Sequence, residues 1–73
     1  MGTPTTEVEQ ITVALIPKAV ADLARTRERS KLNPSDVVNR ALSFYEFADA
    51  ERAAGAQMWF RRPDGTIYQV EWF

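Results

Sequence analysis

The feature that most constrains this chain is a short alternating run, Gln10-Ile11-Thr12-Val13-Ala14-Leu15. Ile11, Val13 and Leu15 fall on one side and Gln10, Thr12 and Ala14 on the other, the period-two pattern of a half-buried β-strand. A strand needs a neighbour, because its backbone donors and acceptors are otherwise left unpaired. No hairpin mate lies close in sequence, and Pro17 turns the chain toward a helix immediately afterwards. A strand over residues 10–16 must therefore find its partner far away or in another molecule.

Length sharpens that requirement. A chain of 73 residues makes one small domain, and small domains bury a reduced share of their surface. Such chains are commonly held by disulfides, a metal or a partner. There is no cysteine and no histidine, which excludes disulfides, thiol nucleophiles and the usual zinc ligands. No cofactor is implied. With 45% hydrophobic residues the composition is too apolar for a disordered chain. Association with a second copy is the remaining way to stabilise it.

No apolar run approaches the ~20 residues that span a bilayer, so no membrane partner is expected. There is no charged-then-apolar secretory start either, and the reading is a cytoplasmic protein. Residues 1–9, rich in threonine with a glycine and a proline near the start, read as a flexible arm.

Two helices follow the strand. Pro17 suits a first helical turn, where its missing N–H does no harm. Ala19, Val20, Leu23 and Ala24 then form an apolar stripe, predicting a helix over 17–29. Ser30 to Asn33 make the turn, and Asn33-Pro34-Ser35-Asp36 is a strong helix start. Asn33 serves as the cap, Pro34 takes the first position, and Asp36 meets the positive end of the helix dipole. The second helix is expected over 34–54, with Gly55 as its stop. Val37, Val38, Ala41, Leu42, Tyr45 and Ala48 form a wide apolar face that Phe44 and Phe47 extend. A helix apolar over so much of its circumference needs cover on more than one side.

Residues 55–73 read differently. Arg62-Pro63-Asp64-Gly65-Thr66 is a tight-turn sequence, flanked by strand-like runs at 57–61 and 67–73. With Arg62 opposite Thr66, Phe60 pairs with Tyr68 and Met58 with Val70. Met58, Phe60, Tyr68, Val70 and Trp72 then share one face, with Trp59, Arg61, Ile67 and Gln69 on the other. An isolated hairpin is marginal in water, so it is expected to dock on the helices.

The net charge of −1 conceals an uneven distribution. Residues 18–31 carry Lys18, Arg25, Arg27, Arg29 and Lys31 against Asp22 and Glu28, a net of +3. Positive charge is thus gathered on one helix and the turn after it.

A strand, two helices and the Asn/Ser/Asp start of the second helix make the chain resemble the ribbon-helix-helix superfamily of MetJ/Arc and CopG-like repressors. The resemblance rests on Ile11-Thr12-Val13-Ala14-Leu15 and on Pro34-Ser35-Asp36-Val37-Val38-Asn39-Arg40-Ala41-Leu42-Ser43-Phe44-Tyr45. It covers residues 10 to about 50 and leaves the hairpin outside. It implies a mainly α fold with short β, an intertwined homodimer in which two strands pair as an antiparallel ribbon above four helices. The dimer core would hold Ile11, Val13, Leu15, Leu23, Val38, Leu42 and Tyr45.

The resemblance also implies double-stranded DNA as partner, and a transcriptional repressor or autoregulator as function. The ribbon would enter the major groove with Gln10, Thr12 and Ala14 at base edges. Gln offers two bonds to adenine, Thr a hydroxyl or methyl, and Ala14 only apolar contact. Many relatives place Arg, Lys or Asn at that last position. Phosphates would be met by Lys18, Arg29 and Lys31 and by the helix start at Ser35 and Asp36.

The same residues carry plainer readings. Asn33 and Asp36 are explained as helix-start residues with no ligand, and the arginines of the first helix as a solvated face. A second function on the same scaffold is a protein-interaction module or antitoxin that binds a partner through the hairpin, with Trp59 and Arg61 at the contact. Catalysis is not expected. Glu46 and Asp49 are the only carboxylate pair singled out, and such pairs on a helix are ordinarily solvated charge.

Overall fold

The computed structural model describes residues 8–71. The order is α1 (Pro17–Ser30), α2 (Pro34–Ala53), β1 (Met58–Arg61) and β2 (Ile67–Val70). The expected arm falls largely on residues 1–7, which lie outside the described residues, as do Trp72 and Phe73 at the end of the hairpin.

Pro17 begins α1, and Ile16 before it is extended at φ −69°, ψ 157°. The helix runs one residue beyond the expected end, through Ser30. The cause is local: the Ser30 hydroxyl donates to the Thr26 carbonyl at 2.8 Å, and the Lys31 N–H to the Arg27 carbonyl at 2.7 Å. Lys31 then closes the helix in the left-handed region at φ 60°. Only Leu32 and Asn33 separate it from the next helix.

α2 starts as its sequence predicts. Asn33 is extended and its side chain accepts the Asp36 N–H at 2.9 Å, with Pro34 at the first position. The end is a left-handed glycine stop. Gly55 takes φ 94° and donates to the Arg52 carbonyl at 2.9 Å, while Ala56 reaches back to Glu51 at 3.0 Å. This paired closure satisfies carbonyls that the last helical turn would otherwise leave open.

β1 and β2 pair antiparallel as Met58↔Val70, Trp59↔Gln69, Phe60↔Tyr68 and Arg61↔Ile67. The turn closes with Gly65 donating to the Arg62 carbonyl at 2.9 Å and Arg62 to Thr66 at 2.8 Å. Gly65 stands at φ 93°, and the Asp64 carboxylate accepts the Thr66 N–H at 2.9 Å. The fold is thus mainly helical, with one two-stranded antiparallel sheet.

Two features depart from expectation. Residues 8–16 belong to no helix or strand, and all of them are exposed. The strand expected over 10–16 does not form in a single chain because a strand exists only with a mate, and one chain offers none. The hairpin, expected to dock on the helices, makes no extensive contact with them among the described residues; Met58 and Trp59 line an open groove with Phe47, Ala48, Glu51 and Arg52 at the end of α2. The extensive contacts between elements are α1 on α2 and β1 on β2.

The consequence is that the described residues have almost no core. Ala48, at 5% exposure, is the one buried residue among those described. Ile11, Leu42 and Trp59 stand 69%, 58% and 53% exposed. The accessible surface is 7102 Å², against about 4,600 Å² for a folded monomer of this mass. The radius of gyration is 15.2 Å, where a compact domain of this length has about 11 Å.

Candidate functional site

Two surfaces collect the residues that the sequence singles out. The first is an apolar groove between α1 and α2. Leu15 enters it from the segment before α1, Ala19, Leu23 and Thr26 from α1, and Val37, Val38 and Ala41 from α2. Heptad-like spacing explains the assembly: 19, 23 and 26 lie on one stripe of α1, and 37, 38 and 41 on one stripe of α2. Three residues expected in a dimer core, Leu15, Leu23 and Val38, therefore line one groove. Leu42 and Tyr45 continue along α2 and are exposed. Ile11 and Val13 precede the groove and are also exposed.

One charged residue borders the groove, and the sequence reading did not single it out. Asp22 accepts from Lys18 at 2.7 Å and from Arg25 at 3.3 Å. The Lys18 hydrogen bond holds the Asp22 carboxyl below its ordinary value, and the charges of Lys18 and Arg25 act in the same sense. The signal was present in the sequence, since Lys18 and Asp22 are four apart on a helix and Asp22 and Arg25 three apart.

The second surface is the polar one. Gln10, Thr12 and Ala14 are all exposed, so their side chains are open to a ligand. Arg29 and Lys31 are exposed too. Lys18 keeps its ammonium on Asp22, so any phosphate would compete with that carboxylate.

The start of α2 is narrower as an anion site than its sequence suggests. Pro34 has no N–H, the Asp36 N–H is taken by Asn33, and Val37 donates to the Asn33 carbonyl at 3.2 Å. The Ser35 N–H is the donor left over in this turn. Its carbonyl meanwhile accepts from the Asn39 amide at 2.8 Å.

The left-handed Lys31 was missed in the sequence reading. Its signal was the absence of glycine from a very short helix–helix connection, which forces another residue into the reversal.

Trp59 and Arg61, expected at a partner contact, share one face of the hairpin and are exposed. The Trp59 indole N–H donates to the Gln57 side chain at 3.3 Å. On the opposite face Phe60 and Tyr68 stack with ring centres 5.8 Å apart, and Arg62 lies 5.0 Å over Tyr68. Asp49 is paired with Arg52 at 2.8 Å, which accounts for half of the Glu46 and Asp49 pair. Among the described residues no group of three or more carboxylates could hold a metal ion. No helix of the described residues is long and apolar enough to cross a membrane.

No family model, characterised protein or solved structure matches this chain.

Proposed function

We propose that this chain is a homodimeric, sequence-specific DNA-binding protein of the ribbon-helix-helix type, acting as a repressor or autoregulator. The observation that carries the reading is the exposed, unpaired segment at Ile11–Leu15 beside an apolar groove, in a chain whose described residues bury only Ala48. A second copy answers both needs together. Its own 10–16 segment supplies the missing strand partner, and its helices cover Leu23, Val38 and Leu42.

Magnitudes support this. The surface exposed beyond that of a folded monomer is about 2,500 Å² by the mass scaling, and an obligate dimer buries roughly 1,000–2,500 Å² on each partner. In the paired ribbon Gln10, Thr12 and Ala14 face outward to base edges. Arg29, Lys31 and the Ser35 amide meet phosphates, with Lys18 joining once it leaves Asp22.

The test joins sedimentation to a fluorescence-anisotropy titration against random and selected duplexes at two salt concentrations. A dimer that binds one sequence family more tightly, with affinity falling as salt rises, is the expected result. A monomer throughout, or a dimer indifferent to DNA at low salt, defeats the proposal. A second reading is favoured by one observation, the exposed Trp59 and Arg61 face of the hairpin. It is a dimer that uses this face to hold another protein, and it predicts no duplex binding at either salt concentration.

A further inference from the structure

The cations of α1 are not spread evenly around the helix. Successive residues turn by about 100°, so Lys18, Arg25 and Arg29 fall within about 40° of one another. Asp22 lies on the same side, between Lys18 and Arg25. Arg27 lies across the helix, where its guanidinium donates to the Leu32 carbonyl at 3.2 Å. Three cations and one acid thus form a single stripe about 16 Å long, beside the apolar groove that Asp22 borders.

Asp22 engages both of its neighbours. Its Oδ2 accepts from Lys18 Nζ at 2.7 Å and its Oδ1 from Arg25 Nη1 at 3.3 Å, so each carboxylate oxygen holds a different cation. The Lys18 and Arg25 side chains nonetheless stay 80% and 68% exposed. Ion pairs so open to water are weak, and a phosphate oxygen offers either cation an equally charge-assisted bond. Arg29, one turn further on, makes no ion pair among the described residues. A phosphate backbone laid along the stripe therefore takes Arg29 directly, and takes Lys18 and Arg25 only by displacing Asp22. The displaced carboxylate stays within the stripe and repels the polyanion.

We propose that Lys18, Arg25 and Arg29 form a phosphate-contacting stripe along α1, and that Asp22 is its built-in counter-ion, holding down affinity for the DNA backbone. The inference rests on the DNA-binding reading and adds Arg25 and Asp22 to it. Contacts to phosphate carry no sequence information directly. Asp22 therefore opposes every duplex alike and leaves discrimination to the ribbon residues.

The test titrates the full chain and its Asp22→Asn variant against one selected and one random duplex, by fluorescence anisotropy across a salt series. Sedimentation checks that both share one oligomeric state. Asp22→Asn should tighten binding to both duplexes about tenfold at low salt and steepen the salt slope by about one to two. Glu51→Gln removes the same charge about 15 Å along α2 beyond the groove residue Ala41, further than salt lets exposed charges act. It should change affinity less than about twofold. Equal gains from the two variants would reflect net charge alone and overturn the proposal, as would a gain confined to the selected duplex.

Arg25→Gln probes the stripe with Asp22 still in place. It should weaken both duplexes by the same factor, about threefold or more, and reduce the salt slope by about one. Unchanged binding by Arg25→Gln overturns the stripe. Unchanged affinity and slope in Asp22→Asn overturn the counter-ion, and in either case a parent chain that binds duplex leaves the DNA reading standing. A chain that binds no duplex in any of these forms defeats both.

Discussion

Lys31 is a residue in the wrong place for stability. A side chain in the left-handed region costs roughly 1 kcal/mol that glycine avoids, and the position is the usual one for glycine after a helix. The lysine is intelligible if its charge is used. Lys31→Gly should therefore raise the unfolding free energy by about 1 kcal/mol, measured by urea titration. In the DNA reading it should also weaken binding to all duplexes alike and reduce the salt slope by about one. A gain in stability with unchanged binding would remove Lys31 from the interface.

Asn33 has the opposite character. Its cap bond to Asp36 was readable from Asn33-Pro34-Ser35-Asp36, and Asn33→Ala should cost about 1 kcal/mol in the same titration. Lys31 was not readable in the same way, because its conformation is set by how abruptly α2 begins and not by its own preference.

Two acids add a pH dependence. Asp22 and Asp64 both sit below their ordinary value of 3.8, Asp22 chiefly through the Lys18 hydrogen bond and Asp64 through the backbone N–H of Thr66. A carboxyl lowered in the folded state stabilises fully above the unfolded value, and that contribution is lost as pH falls through the folded one. Both groups are exposed, so the effect is small. Thermal melts should be insensitive to these two acids above about pH 5 and fall below pH 4. Asp22→Asn with Asp64→Asn should flatten that acid limb.

At the scale of elements, the helices and the hairpin register were legible because their signals are local. Proline, asparagine and glycine mark the ends of α2, and Arg62-Pro63-Asp64-Gly65-Thr66 aligns Phe60 with Tyr68. Gly65→Ala should cost about 1 kcal/mol and loosen the hairpin, seen as faster amide exchange at Phe60 and Tyr68. The 10–16 strand and the docking of the hairpin were a different matter. Alternation says that Ile11, Val13 and Leu15 want one side covered, yet it carries no information about the cover. One chain supplies none, so the strand is absent and the hairpin hangs from the end of α2. The candidate readers Gln10, Thr12 and Ala14 were legible only as an exposed face. Within that face Thr12→Ala should lower the preference for the selected operator by about 1–3 kcal/mol while leaving binding to random duplex unchanged.

For the whole molecule, stability and association are one equilibrium in the dimer reading. The melting temperature should rise with protein concentration, and differential scanning at concentrations a hundredfold apart would show it. A concentration-independent transition would mean that each chain folds alone. The near-absence of a core in the single chain bears also on how such a protein is counted in a cell. In the dimer reading, a copy that has not met its twin offers backbone outside any helix or strand at residues 8–16 and a field of exposed apolar side chains, the features that quality-control proteases and holdases select. Its lifetime then depends on its abundance. Falling synthesis would clear the unpaired copies first, and the paired pool would shrink faster than in proportion to the total. In the autoregulator reading, such a protein would switch off by dilution alone.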